Sequence, residues 1–205
     1  YYKYYAMKYK FFKKVKNLPV RDLLSELNKM LKEKTIDWEK IDYQICINSI
    51  AGQENNIHLG TGSLEWDWQN GEEIVDDHGN TVQFIPKKYD NPMQESDFTV
   101  LCTAFKDTVF EEIYDAVSKK YKIGRMRLML MRPKTCLTWH NDGDTRLHYP
   151  IDTNRGCQMV IENEVIHMPK YTWWHTNTSH LHTAFNASRV PRIHLVTSII
   201  GEYNS

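Results

Sequence analysis

Residues 139–196 read WHNDGDTRLHYPIDTNRGCQMVIENEVIHMPKYTWWHTNTSHLHTAFNASRVPRIHLV, and the fold and chemistry of the chain are decided in this stretch. Seven of the nine histidines fall inside it, so metal-ligand chemistry is concentrated in one segment. His140 and Asp142 form an H-x-D pair at its start. His182 follows in a later strand-like run, and Arg192 opens the next one.

Two imidazoles and one carboxylate on a β scaffold make the ligand set of a mononuclear non-haem Fe(II) site, with three positions left open on the metal. A 2-oxoacid fills two of those positions and dioxygen the third. An arginine beyond the last ligand is the residue type that holds the far carboxylate of a dicarboxylate, because its planar fork pairs bidentately. Buried without a partner, such an arginine costs roughly several kcal/mol, which a bound carboxylate offsets.

The alternation within the segment fits this use. Residues two apart on a strand face the same side. Arg146 and His148 share a face in RLHYPI, with Leu147 and Tyr149 opposite; Arg192 and His194 share one in RIHLV. His180, His182 and Ala184 share another, so His180 rivals His182 as a ligand, and Asp144 rivals Asp142. The spacing of H-x-D favours Asp142.

From Gly124 onward, short apolar runs are separated by Gly, Pro, Asn and Asp: GRMRLMLMRP, TCLTWHND, RLHYPI, CQMVIE, EVIHMP, TWWH, HLHTAF and RIHLVTSII. That density of short strands predicts a mainly β fold, a sandwich or barrel of jelly-roll type, with flanking α-helices. Residues 124–200 are expected to form the core, and residues 1–123 to supply helices and supporting strands of one domain spanning 1–205.

Upstream, FFKKVK (11–16) reads as a strand. Residues 20–33 read as an amphipathic helix on Leu23, Leu24, Leu27, Met30 and Leu31, with Pro19 in its first turn. YQICINSI (43–50), VQFIP (82–86) and FTVLCTAF (98–105) read as strands. The Gly- and Asn-rich run after residue 50 reads as loop, with at most a short strand at 63–68. Residues 107–121 read as a second helix, capped by Asp107 and ended by Gly124. His58 and His78 read as solvated loop residues, and Trp66 and Trp68 as rim or core aromatics. YYKYYA precedes Met7 and carries no fold inference.

The totals exclude several classes. Lys+Arg and Asp+Glu are both 26, so a mainly electrostatic nucleic-acid binder, which needs a basic excess, is not indicated. Hydrophobic content of 41% supports a core that needs no disulfides. Cys46, Cys102, Cys136 and Cys157 are widely spaced with no C-x-x-C, which fits a reducing cytosol better than a disulfide framework or a structural zinc site. No apolar run reaches membrane-spanning length, and no signal peptide is evident.

On His140, Arg146-Leu147-His148, His182 in HTAFN and Arg192 in RIHLV, residues 137–198 resemble the catalytic core of the aspartyl/asparaginyl β-hydroxylase family of 2-oxoglutarate oxygenases. The resemblance implies a double-stranded β-helix, Fe(II), 2-oxoglutarate and dioxygen, and hydroxylation coupled to decarboxylation of 2-oxoglutarate to succinate. It implies that His140 and His182 bind iron, that Arg192 grips the distal carboxylate of 2-oxoglutarate, and that Arg146 and His148 lie near its other carboxylate. The animal peptidyl hydroxylases of the family carry glycine where this chain has Asp142; here a third, carboxylate ligand is restored. The resemblance therefore leaves the substrate open among free amino acids, peptide side chains and related small molecules. Tyr149, Arg155, Trp173, Trp174 and His175 are candidates for its pocket. The competing reading from another class is a cupin-like binding or sensor module without turnover.

Overall fold

A computed structural model describes residues 9–203; the YYKYYA segment lies outside them. The chain runs through β1 (Phe12–Val15), α1 (Leu23–Glu33), β2 (Gln44–Cys46), β3 (Asn48–Ser49), β4 (Trp66–Val75), β5 (Thr81–Lys88), β6 (Val100–Leu101) and α2 (Val109–Lys120). It continues through β7 (Tyr121–Met131), β8 (Thr135–Cys136), β9 (Thr145–Asp152), β10 (Cys157–Ile161), β11 (Glu164–Ile166), β12 (Trp173–Thr176), β13 (His182–Asn186) and β14 (Arg192–Glu202). A six-stranded sheet has the order β1–β12–β9–β14–β7–β2, and a four-stranded sheet the order β11–β10–β13–β8, with antiparallel pairing throughout. Mainly β with two flanking helices, this is the expected jelly-roll arrangement.

The six-stranded sheet is apolar on one face and mixed on the other, and that asymmetry sets the layers. On the outer face Leu147, Tyr149, Ile151, Leu195, Leu128 and Ile45 join Leu23, Leu27 and Met30 of α1 and Phe110, Ile113 and Val117 of α2 in one buried cluster. Both helices supply those residues at three- and four-residue spacing, so each buries one stripe. On the inner face Trp174 and Met131 meet Met159, Ile161, Ile166 and Ala184 of the smaller sheet and Phe11 and Phe12 of the N-terminal segment. The remainder of that inner face is polar, and the site lies there.

Several boundaries differ from the sequence reading. Helix α1 starts later, because the Asp22 carboxylate accepts from Leu24 N and Ser25 N as its N-cap; Pro19 precedes it and gives its carbonyl to Trp173 Nε1 at 2.8 Å. Thr108, not Asp107, caps α2. Gly124 does not end that helix: β7 begins directly at Tyr121, and Gly124 lies within it, where Glu95 packs against the bare backbone. The run 43–50 breaks at Ile47 into β2 and β3, and only Val100–Leu101 of 98–105 is strand. Residues 66–75, read mostly as loop, form one arm of a hairpin with β5. That ribbon forms a separate two-stranded sheet, with Trp68 60% exposed, so no core periodicity marks it.

Candidate active site

Directly opposed residues on antiparallel strands share a face, and the register of the large sheet therefore lays out the inner wall in rows. One row runs Trp174–His148–Val196–Arg127–Cys46 across β12, β9, β14, β7 and β2. The next runs Thr176–Arg146–Ser198. Further along β14, His194 and Arg192 occupy the same face, opposite Met129 and Met131.

The segment 138–144 is tied to β13 by backbone exchange. His140 N donates to His182 O at 3.1 Å and His182 N to His140 O at 2.8 Å, while Asp142 N donates to Thr178 O at 2.8 Å. These bonds bring one ligand atom each from His140, Asp142 and His182 within 4.8 Å of one another. The expected strand for His140 and Asp142 is thus a loop, joined to β13 by an isolated bridge.

Both imidazoles are pre-oriented. His140 Nδ1 lies 2.7 Å from Thr138 O, and His182 Nδ1 lies 3.0 Å from His180 O. A carbonyl only accepts, so each neutral ring carries its proton on Nδ1 and presents a bare Nε2. Burial lowers the His182 pKa and favours that neutral form. His182 Nε2 is 3.8 Å from Asp142 Oδ2, the atom that also meets Arg146 Nε at 3.2 Å. Two imidazole nitrogens and one carboxylate oxygen converging this closely fit a divalent ion of the Fe(II) type.

His180 does not join this group. Its ring lies tilted against Phe11 with centroids 4.6 Å apart, its Nδ1 faces Glu162 at 3.7 Å, and its side chain is partly exposed. Asp144 is also displaced as a ligand; its carbonyl accepts from Thr178 Oγ1 at 2.7 Å, and it stands as a turn residue.

Beyond the triad the wall is polar, buried and unsatisfied. His148 Nε2, His194 Nε2 and Arg192 Nε are buried with no hydrogen-bond partner among the described residues. His148 and His194 face each other through Nδ1 atoms 3.4 Å apart. Burial and the nearby Arg192 hold both far below the usual imidazole pKa, so both are neutral. One donates and one accepts across the pair, which leaves one Nε2 as donor and the other as acceptor. Burial pushes Arg192 down to about 10, which still leaves it charged at neutral pH.

The pocket candidates divide. Trp174 lies on the inner face beside His148, packed with Phe12 and Met159 and donating to Thr172 Oγ1. Tyr149 and Trp173 point to the other side and belong to the helix-facing core. Tyr149 Oη takes the Arg21 amide at 2.9 Å and returns a bond to the Arg21 carbonyl at 2.7 Å. His175 shares that outer face and bonds Thr145 Oγ1 at 2.9 Å. Arg155 is exposed in the β9–β10 turn. The alternation that turns His148 inward turns Tyr149 outward, so Tyr149, Trp173 and His175 are corrected to the helix-facing side; Arg155, which lies in a turn, is not governed by that alternation.

Sequence reading missed a charged group on the same wall. Glu95, from a short 3-10 turn at Glu95–Asp97, meets Arg125 Nη2 at 2.9 Å and Arg146 Nη2 at 3.6 Å. Burial opposes ionisation of Glu95, but Arg125, Arg127 and Arg146 outweigh it and hold its pKa down to about 2. The R-x-R of GRMRLMLM, alternating with Met126 and Leu128, was the available signal for two inward arginines; nothing in NPMQESDF marked Glu95.

Residues 80–201 match the family model described as aspartyl/asparaginyl beta-hydroxylase. Among curated proteins, the chain is 28% identical over 98 residues to an L-proline cis-4-hydroxylase from Rhizobium meliloti (strain 1021), a match covering 45% of this chain and 34% of that protein. The chain thus spans about a third of that relative's length. Among solved structures it is similar to AviO1 from Streptomyces viridochromogenes Tue57, with TM-score 0.42, 12% identity and coverage of 95% and 92% of the two chains. A 2OG-Fe(II) oxygenase family oxidoreductase from Burkholderia pseudomallei gives TM-score 0.36, 17% identity and coverage of 46% and 52%.

Proposed function

The chain belongs to the aspartyl/asparaginyl beta-hydroxylase family, and from that premise we propose that it is an Fe(II)- and 2-oxoglutarate-dependent oxygenase that hydroxylates an amino acid, a peptide side chain or a related small molecule. The observation that carries this reading is a two-histidine, one-carboxylate donor set on β13 and the loop tied to it, with a buried, unpartnered Arg192 on the facing sheet and His148 feeling the charge of both sides. Residues 1–205 are taken as one oxygenase domain.

In this reading His140, Asp142 and His182 hold the metal. Bound iron, with 2-oxoglutarate and dioxygen, supplies the oxidising power to hydroxylate an unactivated C–H bond, coupled to release of succinate and carbon dioxide. The protein supplies orientation and a shielded cavity. Thr138 O and His180 O fix the two rings and leave Nε2 of each to bind the metal. Arg146 spans Asp142 and Glu95 and restrains the carboxylate ligand, and it would hold the proximal carboxylate of 2-oxoglutarate. Arg192 pairs with the distal carboxylate, and the donor member of the His148–His194 pair is available to the same ligand. The apolar packing around Trp174, Met131 and Met159 excludes water from the far end.

The proline-hydroxylating relative makes free cyclic amino acids the first substrates to test. Succinate release from 2-oxoglutarate is measured with Fe(II) across free amino acids and peptides. Turnover is expected in wild type and absent in His182→Ala, which also loses iron. Wild type that binds iron but neither binds nor consumes 2-oxoglutarate refutes the oxygenase reading and favours a cupin-like binding module.

A further inference from the structure

The end of the inner wall away from Arg192 holds an arginine with no carboxylate at ion-pair distance among the described residues. Arg125 is saturated: its Nε and Nη2 bond Glu95, and its Nη1 bonds the carbonyls of Gly60 at 2.6 Å and Gly62 at 2.9 Å. Arg146 divides its fork between Asp142 and Glu95. Arg127, 6% exposed, meets only neutral acceptors, through Nη1 to Gln44 Oε1 at 2.9 Å and Gly62 O at 3.3 Å. Its Nε is buried with no partner, and no carboxylate lies within ion-pair distance of it among the described residues. Ser198 Oγ, one row away on the same face, is also buried and unpartnered. Arg125 and Arg146 thus each have a carboxylate at ion-pair distance, whereas Arg127 has none and feels Asp42 only from beyond it. Burial, with Arg125 adjacent, pushes the Arg127 pKa down to about 9, the direction expected of a cation lacking its counter-ion.

We infer that Arg127 holds a carboxylate of the prime substrate. The inference rests on the oxygenase reading for what is bound beside it. 2-Oxoglutarate is assigned to Arg192, Arg146 and the His148–His194 pair, which leaves Arg127 without a role in binding it. Arg127 stands opposite Val196, four residues along β14 from Arg192 and one strand over. Arg127 stands in the same cross-strand row as His148, two strands away, so it belongs to the same inner face. The free Nε edge of the fork is the geometry that takes a carboxylate. The carboxylate is the α-carboxylate of a free amino acid or the side chain of an acidic peptide residue; the chemistry at Arg127 is the same.

The test is anaerobic calorimetry on Fe(II)-loaded protein with saturating 2-oxoglutarate. The probes are the twenty free L-amino acids, their α-amides, and end-blocked peptides carrying aspartate or asparagine at one position. At least one carboxylate probe is expected to bind tenfold or more tightly than its amide. Arg127→Gln is expected to weaken that probe roughly ten- to a hundredfold, as loss of a charge-assisted hydrogen bond does, and to abolish the acid-over-amide preference. A free acid that binds identifies the amino-acid source, and an aspartyl peptide the other. A second readout separates binding from architecture. Without ligand, Arg127→Gln is expected to unfold at the same temperature as wild type or higher, because it removes an uncompensated buried charge; a purely structural arginine gives a lower one. Equal binding of acids and amides, no binding of any carboxylate probe, or an undiminished affinity in Arg127→Gln overturns the inference. Titration with 2-oxoglutarate alone tests the oxygenase reading separately, so the two failures are distinguishable.

Discussion

Arg192→Lys separates recognition of the co-substrate from binding of the metal. Arg192 is 5% exposed, its Nε has no protein partner, and it stands on β14 away from the three donors that meet within 4.8 Å. A carboxylate on its fork makes two charge-assisted bonds, and lysine presents a point charge that keeps one. Loss of one such bond costs about 1.5–3 kcal/mol, which raises the Kd for 2-oxoglutarate roughly ten- to 150-fold. The defect should grow with pH. Burial already pushes the arginine down to about 10, and a buried ammonium surrenders its proton more readily than a guanidinium. The assay is anaerobic calorimetry in two stages, Fe(II) first and 2-oxoglutarate second, from pH 6.5 to 9. Iron affinity should match wild type at every pH, while 2-oxoglutarate affinity falls and falls further as pH rises. A lysine variant that binds 2-oxoglutarate as wild type does, or one that loses iron in parallel, refutes the assignment of Arg192 to the distal carboxylate.

Two further outcomes follow from Glu95. Its folded pKa of about 2 lies below its ordinary 4.5, so the ion pairs it makes are fully present above pH 4.5 and are lost as pH falls toward 2; linkage puts that contribution at roughly 3 kcal/mol. Urea unfolding at pH 7 should therefore show Glu95→Gln destabilised by a few kcal/mol, roughly the cost of breaking a buried pair, with the acid-dependent loss between pH 4.5 and 2 largely gone; an unchanged pH profile would contradict this. Gly124→Ala places a methyl 2.6 Å from Glu95 Cβ and Oε2. Overpacking of that kind costs about 1–3 kcal/mol, read as a lower urea midpoint, and a variant as stable as wild type would show that the Glu95 turn yields freely.

The sequence carried the site wherever chemistry and alternation coincided. Arg146 and His148, and Arg192 and His194, line one inner face because each pair is two residues apart on a strand whose other face is apolar, and RLHYPI and RIHLV display that pattern directly. The same rule, carried through, removes Tyr149 from the pocket; aromaticity had suggested it, and alternation forbids it. His140 and Asp142 were legible as a pair, but their setting was not, since the bonds that hold the loop come from His182 and Thr178, distant in sequence. Glu95 was beyond reach because its role depends on packing against Gly124 and pairing with Arg125 and Arg146. The β4–β5 ribbon was obscured for the opposite reason: it packs on no core, so its residues follow no burial period.

The position of β14 bears on the order in which the molecule assembles. It is the last of the fourteen strands in sequence, yet it lies in the middle of the large sheet, between β9 and β7, while β1, the first, forms one edge by pairing with β12. A chain emerging from the ribosome can form α1, α2 and the β4–β5 ribbon early, because their contacts are local. Its main sheet stays divided until residues 192–202 arrive, and the two halves on either side of that gap expose unpaired edges meanwhile. Contacts so distant in sequence predict slow folding. Arg192 and His194 enter with that strand, so the inner wall acquires these buried polar groups only as the sheet closes around it.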